Sequence, residues 1–125
     1  MKFLLVTTRP DELKDFISGL VLKNNEPVLA ENGQDALDLV GSIKPDLVVV
    51  DDNLPDCKSI ALIREIVTRD AMVNTVVITS MDRGDFHEKS EGLGVLQALP
   101  ENPVSEDARK LILKVEKIIK MNTPT

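Results

Sequence analysis

The feature that most constrains the fold is the short apolar run at residues 47–50 (LVVV), which ends abruptly in Asp51 and Asp52. The run is too short for a helix, and its β-branched valines suit a buried strand. A strand that is apolar on both faces belongs in the middle of a parallel sheet with helices on both sides. Because ligands bind at the carboxyl ends of strands in such sheets, Asp51 is the candidate functional residue, with Asp52 beside it.

The rest of the chain alternates short apolar runs with apolar stripes at helical spacing, an order typical of βα units. It predicts an α/β fold, a single-domain (βα)5 doubly wound parallel five-stranded sheet with right-handed crossovers. The domain is predicted to span residues 1–121, with a frayed tail at 122–125. The predicted strands are Lys2–Val6, Pro27–Ala30, Leu47–Val50, Thr75–Ile78 and Val95–Leu99.

Five helices are expected between and after these strands. The first has Pro10 in its opening turn and ends at residues 23–25. The segment from Asp82 to Gly94 is only weakly periodic and contains three glycines, which predicts a short or frayed helix. The other three helices have predicted N-caps at Asn32, Ser59 and Ser105.

Composition excludes several classes of protein. The net charge of −6 argues against a non-specific nucleic-acid binder, and three phenylalanines cannot form a base-stacking platform. One cysteine, Cys57, excludes an internal disulfide framework and a cysteine-rich metal site. The apolar runs are too short for a membrane span, and no cleavage site follows the apolar run at residues 3–6. We therefore expect a cytoplasmic protein with no nucleic-acid or membrane partner.

Residues 45–55 (PDLVVVDDNLP) carry the most specific pattern in the chain. With this segment, the chain resembles the receiver (CheY-like) domain of bacterial two-component response regulators over essentially its whole length. The resemblance implies the flavodoxin-like strand order. It also implies that Asp51 is the phosphoacceptor, that Pro55 is the loop proline and that Thr79 is the hydroxyl residue that contacts the phosphoryl group. Pro103 matches the proline after the fifth strand.

The chain departs from that family at several positions. Receivers carry an acidic pair that helps to hold Mg²⁺ at the end of the first strand, where this chain has Thr7 and Thr8. The lysine before the last proline is replaced by Asn102. The aspartate-glycine pair after the acceptor loop is replaced by residues 58–59 (KS), and no aromatic residue follows Phe86 to serve as the switch aromatic.

These departures predict a degenerate receiver, or pseudo-receiver. Mg²⁺ usually needs one or two carboxylates, and Asp51 is the metal ligand that remains, because Asp52 should point to the opposite face of the strand. Losing two carboxylates and a lysine should leave phosphorylation very slow or absent. The candidate pocket around Asp51 consists of Thr7, Thr8, Asp52, Asn53, Thr79, Ser80 and Asn102.

Three functions are compared. The first is a stand-alone signalling module that contacts a protein partner, a histidine kinase or a downstream effector, as a monomer or weak homodimer. The second is a functional receiver that a histidine kinase phosphorylates on Asp51. The third is a small α/β enzyme or a nucleotide-binding protein. It is disfavoured because no glycine-rich phosphate loop follows the first strand and no catalytic histidine constellation is present. A non-enzymatic signalling role is therefore expected.

Four other features have a functional and a plain interpretation. Lys58 is either a substitute cation for Asp51 or a solvated loop lysine. Cys57 is either redox-active or an ordinary thiol, and the ordinary thiol is expected because the neighbouring Asp56 disfavours a thiolate. His87 is either a phosphotransfer histidine or a surface residue, and the surface residue is expected because a phosphotransfer histidine normally lies in a helical bundle. The Phe86–Gly94 segment is either a partner contact or a mobile helix with Phe86 anchored in the core.

Overall fold

Five short strands form one parallel sheet in the computed structural model, which describes residues 1–21 and 26–122. They are β1 (Phe3–Val6), β2 (Val28–Ala30), β3 (Leu47–Asp51), β4 (Asn74–Ile78) and β5 (Gln97–Leu99). Their order across the sheet is β2-β1-β3-β4-β5, and every neighbouring pair is parallel. The predicted doubly wound α/β fold is confirmed.

Five α-helices connect and cover these strands. They are α1 (Lys14–Val21), α2 (Gly33–Ile43), α3 (Ser59–Arg69), α4 (Arg83–Ser90) and α5 (Ser105–Asn122). A 3-10 turn at Pro10–Leu13 precedes α1, with the proline at its start, as expected for a residue with a fixed φ and no N–H. Among the described residues, none of these helices combines the length and the apolar composition needed to cross a membrane.

The core consists of two apolar clusters, one on each face of the sheet. Val49 packs on the face covered by α1 and α5, whereas Val48 and Val50 pack on the face covered by α2 and α3. Successive strand residues point to opposite faces, so a central strand covered on both sides must be apolar at every position. This arrangement explains why residues 47–50 form an unbroken apolar run.

Helix α1 lies close against the start of α5. A Cβ added at Gly19 would lie 2.5 Å from the carbonyl oxygen of Ser105 and 2.8 Å from the Cβ of Ala108. A larger residue at Gly19 would therefore push the two helices apart. The contact fixes the N-terminus of α5, and with it the turn between β5 and α5, over the carboxyl edge of the sheet.

Two of the three predicted N-caps are wrong. Asn32 does cap α2, since its Oδ1 accepts a hydrogen bond from the N–H of Asp35 at 2.8 Å. Ser59 and Ser105 are instead the first residues of their helices. The hydroxyl of Ser59 donates to Asp52 at 2.6 Å, so it is used in a side-chain contact and not as a cap.

Several element boundaries differ from the prediction. Strand β5 begins at Gln97 and not at Val95, because Gly94 has a positive φ and only three residues then pair with β4. The predicted end of the first helix at residues 23–25 lies outside the described residues. Helix α5 continues to Asn122, and residues 123–125 are likewise outside the described part of the chain.

Helix α4 is short and has no buried residue, in agreement with the weak periodicity of its sequence. The Asp82 side chain caps it by accepting a hydrogen bond from the N–H of Gly84 at 2.8 Å. Phe86 is half-buried and packs against the core cluster beneath α2 and α3. Its anchoring agrees with the plain interpretation of the Phe86–Gly94 segment.

Candidate functional site

The candidate site lies at the carboxyl edge of the sheet, where β3 ends in Asp51. The Asp51 side chain is only 1% exposed, although a carboxylate is rarely buried unless it is paired. Strand β1 ends beside β3, and the turn from β5 to α5 also reaches this edge. Groups from β1, from β3 and from the turn between β5 and α5 therefore meet at this edge of the sheet.

Four donors bind the two oxygens of Asp51. Oδ2 accepts hydrogen bonds from Thr7 Oγ1 and from Arg9 Nε, both at 2.8 Å. Oδ1 accepts from Arg9 Nη2 at 3.2 Å and from the backbone N–H of Asp52 at 2.9 Å. A carboxylate offers about four lone-pair positions. Four donors are therefore enough to use the full accepting capacity of Asp51.

Arg9 is the residue that the sequence interpretation missed. Its guanidinium holds Asp51 through two nitrogens, and Nη2 also donates to the carbonyl oxygen of Glu101 at 2.6 Å. Its Nη1 donates to Asn102 Oδ1 at 3.3 Å. Hydrogen bonding to Asp51 raises the pKa of Arg9 above its already high ordinary value. Arg9 thus supplies the positive charge that neutralises Asp51.

Of the other residues considered near Asp51, Thr7 contacts the carboxylate, whereas Thr8 and Lys58 are exposed. Thr7 is buried and bonded to Asp51, and its Oγ1 also accepts the N–H of Arg9 at 3.0 Å, which fixes the start of the arginine side chain. Thr8 is exposed and donates to the carbonyl oxygen of Asn53 at 3.3 Å. The cation on Asp51 is Arg9, and Lys58 is exposed. The substitute role considered for Lys58 is therefore filled by another residue.

Asp52 belongs to a second group of side chains on the opposite side of β3. Its Oδ1 accepts from the hydroxyl of Ser59 at 2.6 Å, and its Oδ2 forms a short hydrogen bond with the hydroxyl of Thr79. Thr79, expected beside Asp51, therefore contacts Asp52 instead. Ser80 is exposed and lies outside both groups.

The donor set around Asp51 does not fit Mg²⁺. The ion needs free oxygen ligands in octahedral geometry, usually including one or two carboxylates. Asp51 already accepts four hydrogen bonds, and the Arg9 guanidinium would repel a second cation at this carboxylate. In the part of the chain that the structure describes, no three His, Cys, Asp or Glu side chains are grouped to hold a metal ion.

The loop after β3 is tied to α2 by Asp56. Its carboxylate accepts the N–H groups of Gly33 at 2.8 Å and Gln34 at 3.1 Å, at the positive end of the helix. These hydrogen bonds, led by the one from Gly33, hold the pKa of Asp56 below its ordinary range. Burial and the neighbouring Asp56 raise the pKa of Cys57, so the thiol form is favoured as expected. His87 is exposed on α4.

Replacing Asp56 with Asn should lower thermal stability at pH 6 but much less at low pH. Because the pKa of Asp56 is lowered by folding, its charge stabilises the native state above pH about 4, and this contribution is lost as the pH falls through the native pKa. Thermal unfolding of the natural chain and of the Asp56→Asn variant, from pH 6 down to low pH, measures the effect. Asp11→Asn is the matched control for an exposed carboxylate, and a difference that stays constant with pH would contradict the assignment.

Comparison with known proteins agrees with this architecture. A family model described as "Response regulator receiver domain" matches residues 10–113, so the match begins one residue after Arg9. A curated relative, "Sporulation initiation phosphotransferase F" of Bacillus subtilis, is 31% identical over 67 residues. The aligned segment covers 54% of this chain and 54% of that protein, about half of each.

Solved structures of low sequence identity share the fold. The signal receiver domain of a putative Luxo repressor protein from Vibrio parahaemolyticus superposes with a TM-score of 0.85 at 18% identity, covering 96% of this chain and 92% of that one. A two-component response regulator from Clostridium difficile gives a TM-score of 0.81 at 22% identity, with 98% and 99% covered. At these identities, the likeness concerns the fold.

Proposed function

The chain belongs to the response regulator receiver domain family, and from this membership we propose that it is a pseudo-receiver in which Arg9 takes the place of the metal ion and phosphoryl-contacting lysine. In this proposal, the domain signals by contact with a protein partner, a histidine kinase or a downstream effector. Asp51 serves as an internal anion and receives little or no phosphate.

The observation that carries the proposal is the closed hydrogen-bonding shell of Asp51. Phosphoryl transfer to a carboxylate needs a free oxygen lone pair, room for the phosphoryl group and positive charge to neutralise it. Asp51 is 1% exposed, and each of its oxygens accepts two hydrogen bonds. To receive a phosphoryl group, Asp51 would have to give up the bidentate contact with Arg9 first.

The same pair supports a site that works without Mg²⁺. A guanidinium matches a carboxylate in shape and charge, and its pKa keeps it protonated at any physiological pH. Arg9 also holds the carbonyl of Glu101 and the side chain of Asn102, in the turn that would otherwise carry the family lysine. One residue therefore supplies a permanent positive charge and fixes the turn between β5 and α5.

The test is treatment of the protein with acetyl phosphate and Mg²⁺, followed by intact mass and peptide mapping. We expect no phosphoryl group on Asp51, and no amide shift near Asp51 when Mg²⁺ or beryllofluoride is titrated by NMR. A receiver domain with the acidic pair and the lysine, treated in parallel, is the positive control. An adduct mapped to Asp51, and missing in Asp51→Asn, would overturn the proposal.

A further inference from the structure

An open cavity of about 500 Å³ lies between α3 and α4 and has an excess of positive charge. Three basic side chains line it: Lys58 from the loop after β3, Arg64 from α3 and Lys89 from the last turn of α4. Among the described residues, Asp52 is the one acidic residue of the lining, and each oxygen of its carboxylate accepts a hydroxyl hydrogen bond. The chain as a whole has a net charge of −6, so the sign of the charge is reversed at this cavity.

The three cations of the cavity are not paired within the chain. In the part of the chain that the structure describes, the side-chain nitrogens of Lys58, Arg64 and Lys89 form no salt bridge and no hydrogen bond. By contrast, Lys110 on α5 lies 3.7 Å from the carboxylate of Glu106. The three residues of the cavity are also exposed, so another molecule can reach their charges.

The two sides of α3 differ in the sign of their charge. A second cavity lies between α2 and α3, and its lining in the described ranges contains the carboxylates of Asp56 and Glu65 but no basic side chain. Arg64, the neighbour of Glu65 in α3, lines the cavity on the α4 side. Because the two signs are separated and do not cancel, the face between α3 and α4 is complementary to a negatively charged partner.

The cavity also offers apolar surface. Ile60 and Met81 line it, and both side chains are half-buried. A methionine side chain is unbranched and polarizable, so it adapts to the shape of an apolar group placed against it. A small inorganic anion would use the cations but would leave this apolar surface in water. A peptide segment that has both acidic and apolar side chains uses both parts of the cavity.

We infer that this cavity is the docking site for an acidic segment of the protein partner. Aspartate or glutamate side chains of the segment contact Lys58, Arg64 and Lys89, and an apolar side chain packs on Ile60 and Met81. The inference deepens the proposed function and rests on one part of it, signalling by contact with a protein partner. It adds the place where the partner binds and the chemistry of the segment that binds there.

The experiment is an NMR titration of the full, isotope-labelled chain with a short peptide in which glutamate and leucine alternate. We expect saturable amide shifts confined to the residues that line the cavity. The shifts should shrink at high salt, because salt screens contacts between exposed charges. The same peptide with glutamine in place of glutamate, and inorganic phosphate, should shift these amides much less. No shift with the acidic peptide, or equal shifts with the glutamine peptide or with phosphate, would overturn the inference.

A triple variant tests the cations directly. Lys58→Gln/Arg64→Gln/Lys89→Gln should bind the acidic peptide about tenfold more weakly or worse, since each exposed ion pair contributes a factor of roughly two to five. The midpoint of thermal unfolding should stay nearly unchanged, because these exposed side chains have no partner within the described chain.

The matched control removes the same kinds and number of charges from α5. Arg109→Gln/Lys117→Gln/Lys120→Gln should change the affinity for the peptide by less than about twofold, since all three side chains are exposed on another helix and their charges are screened. Equal losses of affinity in the two triple variants would show attraction by net charge alone and would contradict the docking site.

Vesicles of anionic phospholipid distinguish a membrane surface from a protein partner. If the chain bound the vesicles but not the peptide, and lost this binding in the cavity variant, the inference would be overturned in favour of a membrane surface. The inference and the proposed function fail separately. Absence of peptide binding overturns the docking site and leaves Asp51 closed, whereas a phosphoryl adduct on Asp51 overturns the closed Asp51 and leaves the peptide shifts as evidence for the docking site.

Discussion

Replacing Arg9 with Ala is expected to lower the free energy of unfolding by about 3 kcal/mol, at the lower end of what breaking a buried ion pair costs. The substitution removes the guanidinium that neutralises Asp51, a carboxylate that is only 1% exposed in the native chain. The hydroxyl of Thr7 and the N–H of Asp52 would remain, and they reduce the loss without supplying a charge. Urea unfolding, followed by circular dichroism, measures the change as a shift in midpoint.

A double-mutant cycle separates the ion pair from other effects of the substitution. The double variant Asp51→Asn/Arg9→Ala should lose less free energy of unfolding than the two single variants lose in sum. Once one partner of the ion pair has been removed, removing the other no longer leaves an unpaired buried charge. Arg109→Ala, which removes an exposed arginine from α5, should change stability by less than about 0.5 kcal/mol. If Arg9→Ala lowered the free energy of unfolding no more than Arg109→Ala, the ion pair would not be what neutralises Asp51.

Rebuilding the acidic pair and the lysine should turn the site into one that binds Mg²⁺. The variant Thr7→Asp/Thr8→Asp/Arg9→Gln/Asn102→Lys removes the guanidinium and places carboxylates and a lysine at the positions that the family uses. Phosphorylation of Asp51 by acetyl phosphate should become at least about 10²-fold faster, since several preorganised charges are restored. A mass time course measures this rate, and an NMR titration follows Mg²⁺ binding.

The control for this variant keeps the arginine. Thr7→Asp/Thr8→Asp with Arg9 intact should still bind Mg²⁺ poorly, because the guanidinium occupies the carboxylate and repels a second cation. Circular dichroism checks that the rebuilt variant is folded. If the folded variant is phosphorylated on Asp51 as slowly as the natural chain, the closed state of Asp51 does not depend on these residues.

The fold could be predicted because its signals are local. The run at residues 47–50 and the stripes of the helices each lie within one element, and a buried parallel sheet leaves few other arrangements. The predictions that were wrong concern the ends of the helices and strands. A serine before a helix can cap it or donate to a side chain elsewhere, and the competing acceptor of Ser59 is Asp52, a residue of the preceding loop.

The site could be predicted only in part, because its main contact spans the chain. Arg9 and Asp51 are 42 positions apart, and nothing in the neighbourhood of either residue indicates the other. One general clue was available, since a buried strand that ends in a carboxylate needs a cation when the metal ligands are missing. The contact of Thr79 with Asp52 was missed because a match to a motif gives the position of a residue in the chain and not its partner.

The partners of Arg9 become available at different times during synthesis of the chain. Its first partner, Asp51, leaves the ribosome well before its second, Glu101, which is 92 positions away from Arg9. At 5–20 residues per second, the interval between them is a few seconds. During that time, the nascent chain contains both residues of the ion pair but lacks the turn that Arg9 also binds. A pause or a truncation before Glu101 would therefore leave a nascent chain whose charged centre is still open to water.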